Sequence, residues 1–124
     1  MKQLLLLLIL AFNFSISAQI DIKKKYYGIY TGVIPSYKME MNGHVYVVDK
    51  SKIDIEIFSQ FLNIRIGSSL SKGFYTVLYE TDEKYVLNVE MSDQTIGEEI
   101  TLFKNGKKIE RKGFSPQPDC LLFR

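Results

Sequence analysis

The chain has no tryptophan, one histidine (His44) and one cysteine (Cys120). A single cysteine excludes an intramolecular disulfide. A single histidine excludes a His-rich zinc set. No Ser-His-Asp or Cys-His pairing stands at a persuasive spacing, and no glycine-rich phosphate loop is present. The adjacent carboxylates are Asp82-Glu83, in a turn, and Glu98-Glu99, which alternate faces on a strand. Both pairs are expected to be solvated rather than catalytic. A non-enzymatic protein without a resident cofactor is therefore expected. Charge is also scarce in excess. Sixteen basic residues face fourteen acidic ones, a balance that suggests neither a nucleic-acid footprint nor a polyanion-binding face. The one dense basic run, Lys23-Lys24-Lys25, reads as a solvated lead-in to the first strand.

Long apolar runs are missing except at the start, "MKQLLLLLILAFNFSISA". Lys2 opens it, Leu4 to Phe12 is unbroken apolar sequence, and Ser15 to Ala18 supplies small residues. This is the pattern of a secretory signal peptide over residues 1–18, cut between Ala18 and Gln19. The run is shorter than the about 20 apolar residues of a spanning helix. The expected mature product has 106 residues and net charge +1, because Lys2 is the leader's only charged residue. It is one domain, 19–124, periplasmic or extracellular, with no transmembrane segment, and a monomer or weak dimer.

Helical periodicity is nearly absent from the mature chain. Alternation of period two takes its place, broken by turn residues at short intervals. In Ile53-Asp54-Ile55-Glu56-Ile57 the isoleucines face one way and the carboxylates the other. Ser59-Gln60 as a turn sets Ile57 against Leu62, Ile55 against Ile64, and Asp54 against Arg65. A slip of one residue would set isoleucine against charge, so the register is well determined. Asn105-Gly106 as a turn sets Leu102 against Ile109 and Glu99 against Lys112. Strands are expected at 26–33, 36–41, 44–49, 52–58, 61–67, 73–80, 84–91, 97–104, 107–112 and 119–123. The fold class is all-β: an antiparallel up-and-down meander of about eight to ten short strands. Closure into a small barrel would hide both edges, with "CLLFR" returning to "YYGIYTGV". The expected interior is bulky: Ile53, Ile55, Ile57, Leu62, Ile64, Ile66, Phe74, Leu78, Leu87, Val89, Ile100, Leu102 and Ile109. It should be largely filled. Cys120, followed by Leu121-Leu122-Phe123, is expected to be buried.

Gly28-x-Tyr30 at the head of a secreted meander resembles the lipocalin and calycin group, whose barrels open with glycine, any residue and tryptophan. The resemblance implies a ligand-binding barrel. It covers the mature chain in pattern and two residues in motif. The chain also looks like many small exported bacterial β-proteins.

Three candidate sites follow. The tyrosines, apolar in body and polar at the tip, would line a barrel mouth with the histidine: Tyr30, Tyr37, Tyr46 and His44, holding a small apolar or amphipathic ligand. In "GFYTVLYE" both faces are apolar. Tyr75, Val77 and Tyr79 would form an outer aromatic patch for a protein partner, which would make the protein a structural or interaction module. In "KMEMNGHVYVVD" the Asn42-Gly43 turn sets Met41 against His44 and Met39 against Tyr46, on one face. That face is expected to be the inner face of a barrel hairpin. Thioether plus imidazole is also a ligand set for Cu(I), so Met39, Met41 and His44 are a candidate soft-metal site. It resembles the sites of periplasmic copper-handling β-barrel proteins, with Tyr46 as an aromatic cap.

Overall fold

The computed structural model describes residues 19–124. The expected leader lies outside the described residues. Ten strands follow a single 3-10 turn at Lys24–Tyr26: β1 Gly28–Ile34, β2 Tyr37–Met41, β3 His44–Val48, β4 Ser51–Ile57, β5 Phe61–Ile66, β6 Ser69–Glu80, β7 Lys84–Met91, β8 Glu98–Phe103, β9 Lys108–Arg111 and β10 Cys120–Phe123. Eight of them close into an antiparallel barrel, in the order β1-β10-β9-β8-β7-β6-β5-β4 and back to β1. Neighbouring strands are consecutive in sequence apart from two closing contacts. β10 returns to β1, with Thr31 opposite Phe123, and β1 passes to β4, with Gly28 opposite Ile57 and Ile34 opposite Ser51.

Alternation explains most of the ladder. Ile53, Ile55 and Ile57 are buried and pair with Ile66, Ile64 and Leu62, while Asp54 meets Arg65 outside. Leu102 meets Ile109, and Thr101 meets Glu110. Lys112 and Glu99, opposite each other beyond that ladder, approach to 3.4 Å.

The first correction concerns β2 and β3. Their register is the expected one, with Met41 opposite His44, Met39 opposite Tyr46 and Tyr37 opposite Val48. The pair nevertheless forms a separate two-stranded sheet and not part of the barrel wall. β1 pairs with β4 along its whole length, so the hairpin is left as an excursion between them. Its Met/His face is therefore not an inner face of the barrel.

The second correction concerns β6. It begins at Ser69, so most of the gap left between the expected strands 61–67 and 73–80 is itself strand. Its inward positions are Ser71 and Gly73, opposite Ile64 and Leu62, and small polar residues hide a strand from hydrophobic periodicity. A Cβ on Gly73 would come within 2.5 Å of the Met91 sulfur and 2.7 Å of Val89, so only glycine fits there. Further along, Glu80 pairs with Tyr85 and Tyr79 with Val86, but Val77 pairs with Leu87. Leu78 is an extra residue, a bulge that inverts every earlier position of the strand. Phe74 and Leu78, expected inside, are 58% and 55% exposed. Tyr75 and Val77, expected outside, pack against the core.

One end of the barrel is plugged. The 3-10 turn brings Tyr26 edge-on to Tyr85, with ring centroids 5.7 Å apart. The Tyr30 hydroxyl donates to the Tyr26 carbonyl at 2.7 Å. Arg124, just beyond β10, lies over the Tyr30 ring at 5.6 Å and donates to the carbonyls of Lys25 and Tyr27. Ile22, Tyr26, Tyr30 and Tyr85 are buried in the same cluster as the barrel isoleucines. Cys120 is a buried free thiol. Burial pushes its pKa up, against the opposing pull of Arg111.

Candidate functional site: the unplugged barrel mouth

The opposite end is built from the last residues of β1, β5, β7 and β9 and the first residues of β4, β6, β8 and β10. Four connections leave from it: the excursion 35–50 carrying the β2–β3 hairpin, the short turn 67–68, the loop 92–97, and the loop 112–119.

Its floor is charged. Glu98 opens β8 and Arg111 closes β9, and alternation from buried Ile100, Leu102 and Ile109 turns both inward. Arg111 Nε donates to Glu98 Oε1 at 2.6 Å, with side chains 4% and 1% exposed. Arg111 Nη1 donates to Gln117 Oε1 at 2.8 Å, tying the loop 112–119 to the floor. Beside the ion pair is a cavity of about 40 Å³, lined by Ile64, Ile66, Ser69, Ser71, Met91, Gln94, Glu98 and Arg111. The volume suits about one water, whose share of the liquid is about 30 Å³.

Its rim is apolar. A groove of about 360 Å³ is lined by Asp93, Gln94, Thr95, Ile96 and Phe114. Ile96 is 67% exposed, and Phe114 is exposed on the facing loop. Gln94 lines both the groove and the small cavity. Ser71 Oγ donates to Asp93 Oδ2 at 2.7 Å, which fixes the start of the 92–97 loop to β6. Gly113 N donates to Asp119 Oδ1 and Gln117 N donates to the Phe114 carbonyl, which shape the other loop. An apolar rim over buried polar groups suits an amphipathic molecule.

The sequence-predicted residues distribute unevenly around this mouth. Tyr37, at the base of the hairpin, packs against the core. Tyr46 and His44 are exposed further out on the hairpin, their ring centroids 6.4 Å apart. Tyr30 is fully buried and bonds toward the plugged end, away from this mouth. Of the outer patch Tyr75, Val77 and Tyr79, only Tyr79 is exposed outside. Tyr75 instead donates to the Phe58 carbonyl at 2.6 Å. Met39, Met41 and His44 share one face of the hairpin. No group of three His, Cys, Asp or Glu able to hold a metal occurs among the described residues.

Sequence reasoning treated Glu98 as solvated and assigned Arg111 no role. The available signal was the parity of β8 and β9: with Ile100, Leu102 and Ile109 inside, Glu98 and Arg111 must also point in. No protein-family model, curated protein or solved structure matches the chain.

Proposed function

We propose that this protein is an exported, non-catalytic, lipocalin-like barrel that holds a small amphipathic ligand at its unplugged mouth. One observation carries the reading: Gln94 lines both the groove between Ile96 and Phe114 and the small cavity beside the buried Glu98–Arg111 pair. The ligand's apolar part would lie between Ile96 and Phe114, and its polar end would reach Gln94. The barrel's filled interior supports a shallow rim site over a deep calyx. Tyr30, Ile53, Ile55, Leu62, Leu87, Ile100 and Leu102 are all fully buried in one cluster. Export follows from the leader-like first 18 residues.

The test is a methyl and amide NMR titration of the 19–124 protein with octanoate and octanol. Saturable shifts at Ile96, Gln94 and Phe114, weakened by Phe114→Ala, support the mouth. Shifts spread over other surfaces, or unchanged in Phe114→Ala, refute it.

A second reading is favoured by β6. Leu70, Phe74, Leu78 and Tyr79 are all exposed along its outer side, and Phe61 beside Phe74 stacks on Phe58 at 4.7 Å. Such a stripe suits a protein partner. Phe74→Lys would abolish that binding and leave the mouth titration unchanged.

A further inference from the structure

We propose that the tip of the β2–β3 hairpin is a binding site for one soft monovalent metal ion, Cu(I) or its redox-inert analogue Ag(I), with Met39, Met41 and His44 as ligands. This site is independent of the mouth groove. Asn42 and Gly43 have φ of 52° and 78°, the double positive turn that holds the flanking strands in tight two-residue register. That turn sets Met41 directly opposite His44, and Met39 opposite Tyr46. Residues two apart on a strand share a face, so both thioethers and the imidazole project from one side. Directly opposed Cα atoms are about 4.5–5.5 Å apart, and diagonal neighbours are within reach of long side chains.

Core packing does not account for Met41 and His44, while Met39 is half-buried. In a barrel wall, methionine and tyrosine would be ordinary core fillers. Here the sheet stands apart from the barrel, Met41 is 52% exposed, and His44 is exposed. The hairpin's other face carries Lys38 and Glu40 opposite Val47 and Val45, so its one carboxylate points away from the thioethers. Two thioethers and one imidazole, with no thiolate or carboxylate among them, favour Cu(I) or Ag(I) over zinc or calcium. The Tyr46 ring lies beside the His44 imidazole, with ring centroids 6.4 Å apart and a tilt of 58°. The ion keeps its oxidation state on binding, and the imidazole binds in its neutral form.

The experiment is titration of the 19–124 protein with Ag(I), followed by the methionine methyl and histidine ring NMR signals. Cu(I) competition against a chromophoric chelator, under anaerobic ascorbate, runs alongside. One equivalent should shift Met39, Met41 and His44 together and leave the buried Met91 methyl unmoved. Met41→Leu and His44→Gln should each weaken binding at least about tenfold. Both positions are exposed, so the barrel's thermal unfolding should not change. Affinity within about twofold of the parent in either variant, a smaller change than any ligand loss should give, overturns the site. So does a shift at Met91 in place of Met39 and Met41, or no methyl shift at one equivalent.

Discussion

Replacing Arg111 by methionine leaves the Glu98 carboxylate at a buried site without its cation. The side chains are 4% and 1% exposed, and the Nε–Oε1 contact is 2.6 Å, so water screens the pair poorly. Removing one partner of such a pair costs about 3–5 kcal/mol, because the other charge stays buried and uncompensated. A domain of this size has a total stability of about 5–15 kcal/mol, so Arg111→Met should lose about a fifth of it or more. Replacing both partners is a different perturbation. In Glu98→Leu/Arg111→Met no charge is left buried, and Gln117 Oε1, on a half-buried residue, can turn to solvent. The double variant should lie within about 1–2 kcal/mol of the parent, or above it, since apolar residues of similar volume often match a buried pair. The assay is urea unfolding of the 19–124 proteins by circular dichroism, comparing midpoints at unchanged slope. A loss below about 1 kcal/mol in Arg111→Met, typical of an exposed pair, would refute the reasoning. So would a double variant as weak as the single, which would mean that the pair itself stabilises the fold. If the pair serves the mouth, the double variant should be stable yet bind octanoate less well than the parent.

Two buried tyrosines should respond oppositely to loss of the hydroxyl. Tyr30→Phe breaks the 2.7 Å bond to the Tyr26 carbonyl and should cost about 0.5–1.5 kcal/mol. The Tyr85 hydroxyl has no hydrogen-bond partner among the described residues; the Lys23 backbone and Glu80 lie near it but outside bonding geometry. Tyr85→Phe should therefore be neutral or stabilising by up to about 1 kcal/mol in the same urea assay. Burial is the first cause raising the phenol pKa of Tyr30, Tyr75 and Tyr85 above the ordinary 10.0. The folded state thus favours the protonated phenol, so this contribution is intact below about pH 10 and lost as pH climbs through the raised values. Thermal unfolding should show a Tm that begins to fall above about pH 9, where the buried Cys120 thiol starts to contribute, and falls more steeply above about pH 10. A Tm that held or rose there would contradict the burial of these rings. Gly73→Ala forces a Cβ to within 2.5 Å of the Met91 sulfur and should cost about 1–3 kcal/mol. A loss in Gly73→Ala/Met91→Ala smaller than the sum of the two single losses would identify that contact as a cause.

How far the barrel was legible in the sequence depends on where side-chain parity stays unbroken. The isoleucines of β4 and β5 alternate strictly with charge, and a single register satisfies both faces, so pairing could be read to the residue. The same parity carried through β8 and β9, and it also placed Glu98 and Arg111 inside. The composition prior that carboxylates are solvated outweighed it there. That prior fails where an arginine on the paired strand is turned inward by the same parity and neutralises the buried carboxylate. β6 failed for another reason. The bulge at Leu78 has no glycine or proline to mark it, and both faces of the strand are apolar, so parity alone could not tell which face was buried. Only closure decides it. Gly73 must face Met91 because nothing larger fits, and Phe74 is turned out as a consequence. The hairpin illustrates the limit of local reasoning from the opposite side. Its register was fixed by Asn42-Gly43 and is as expected, but whether it joined the wall was set by β1 and β4, which pair over seven residues and leave it no place. Local turn chemistry fixes which residues face each other across a hairpin. Pairing between strands distant in sequence decides whether that face meets a core, a ligand or solvent. For Met39, Met41 and His44 this difference separates a place in the barrel core from a set of soft ligands outside it, half-buried at Met39 and exposed at Met41 and His44.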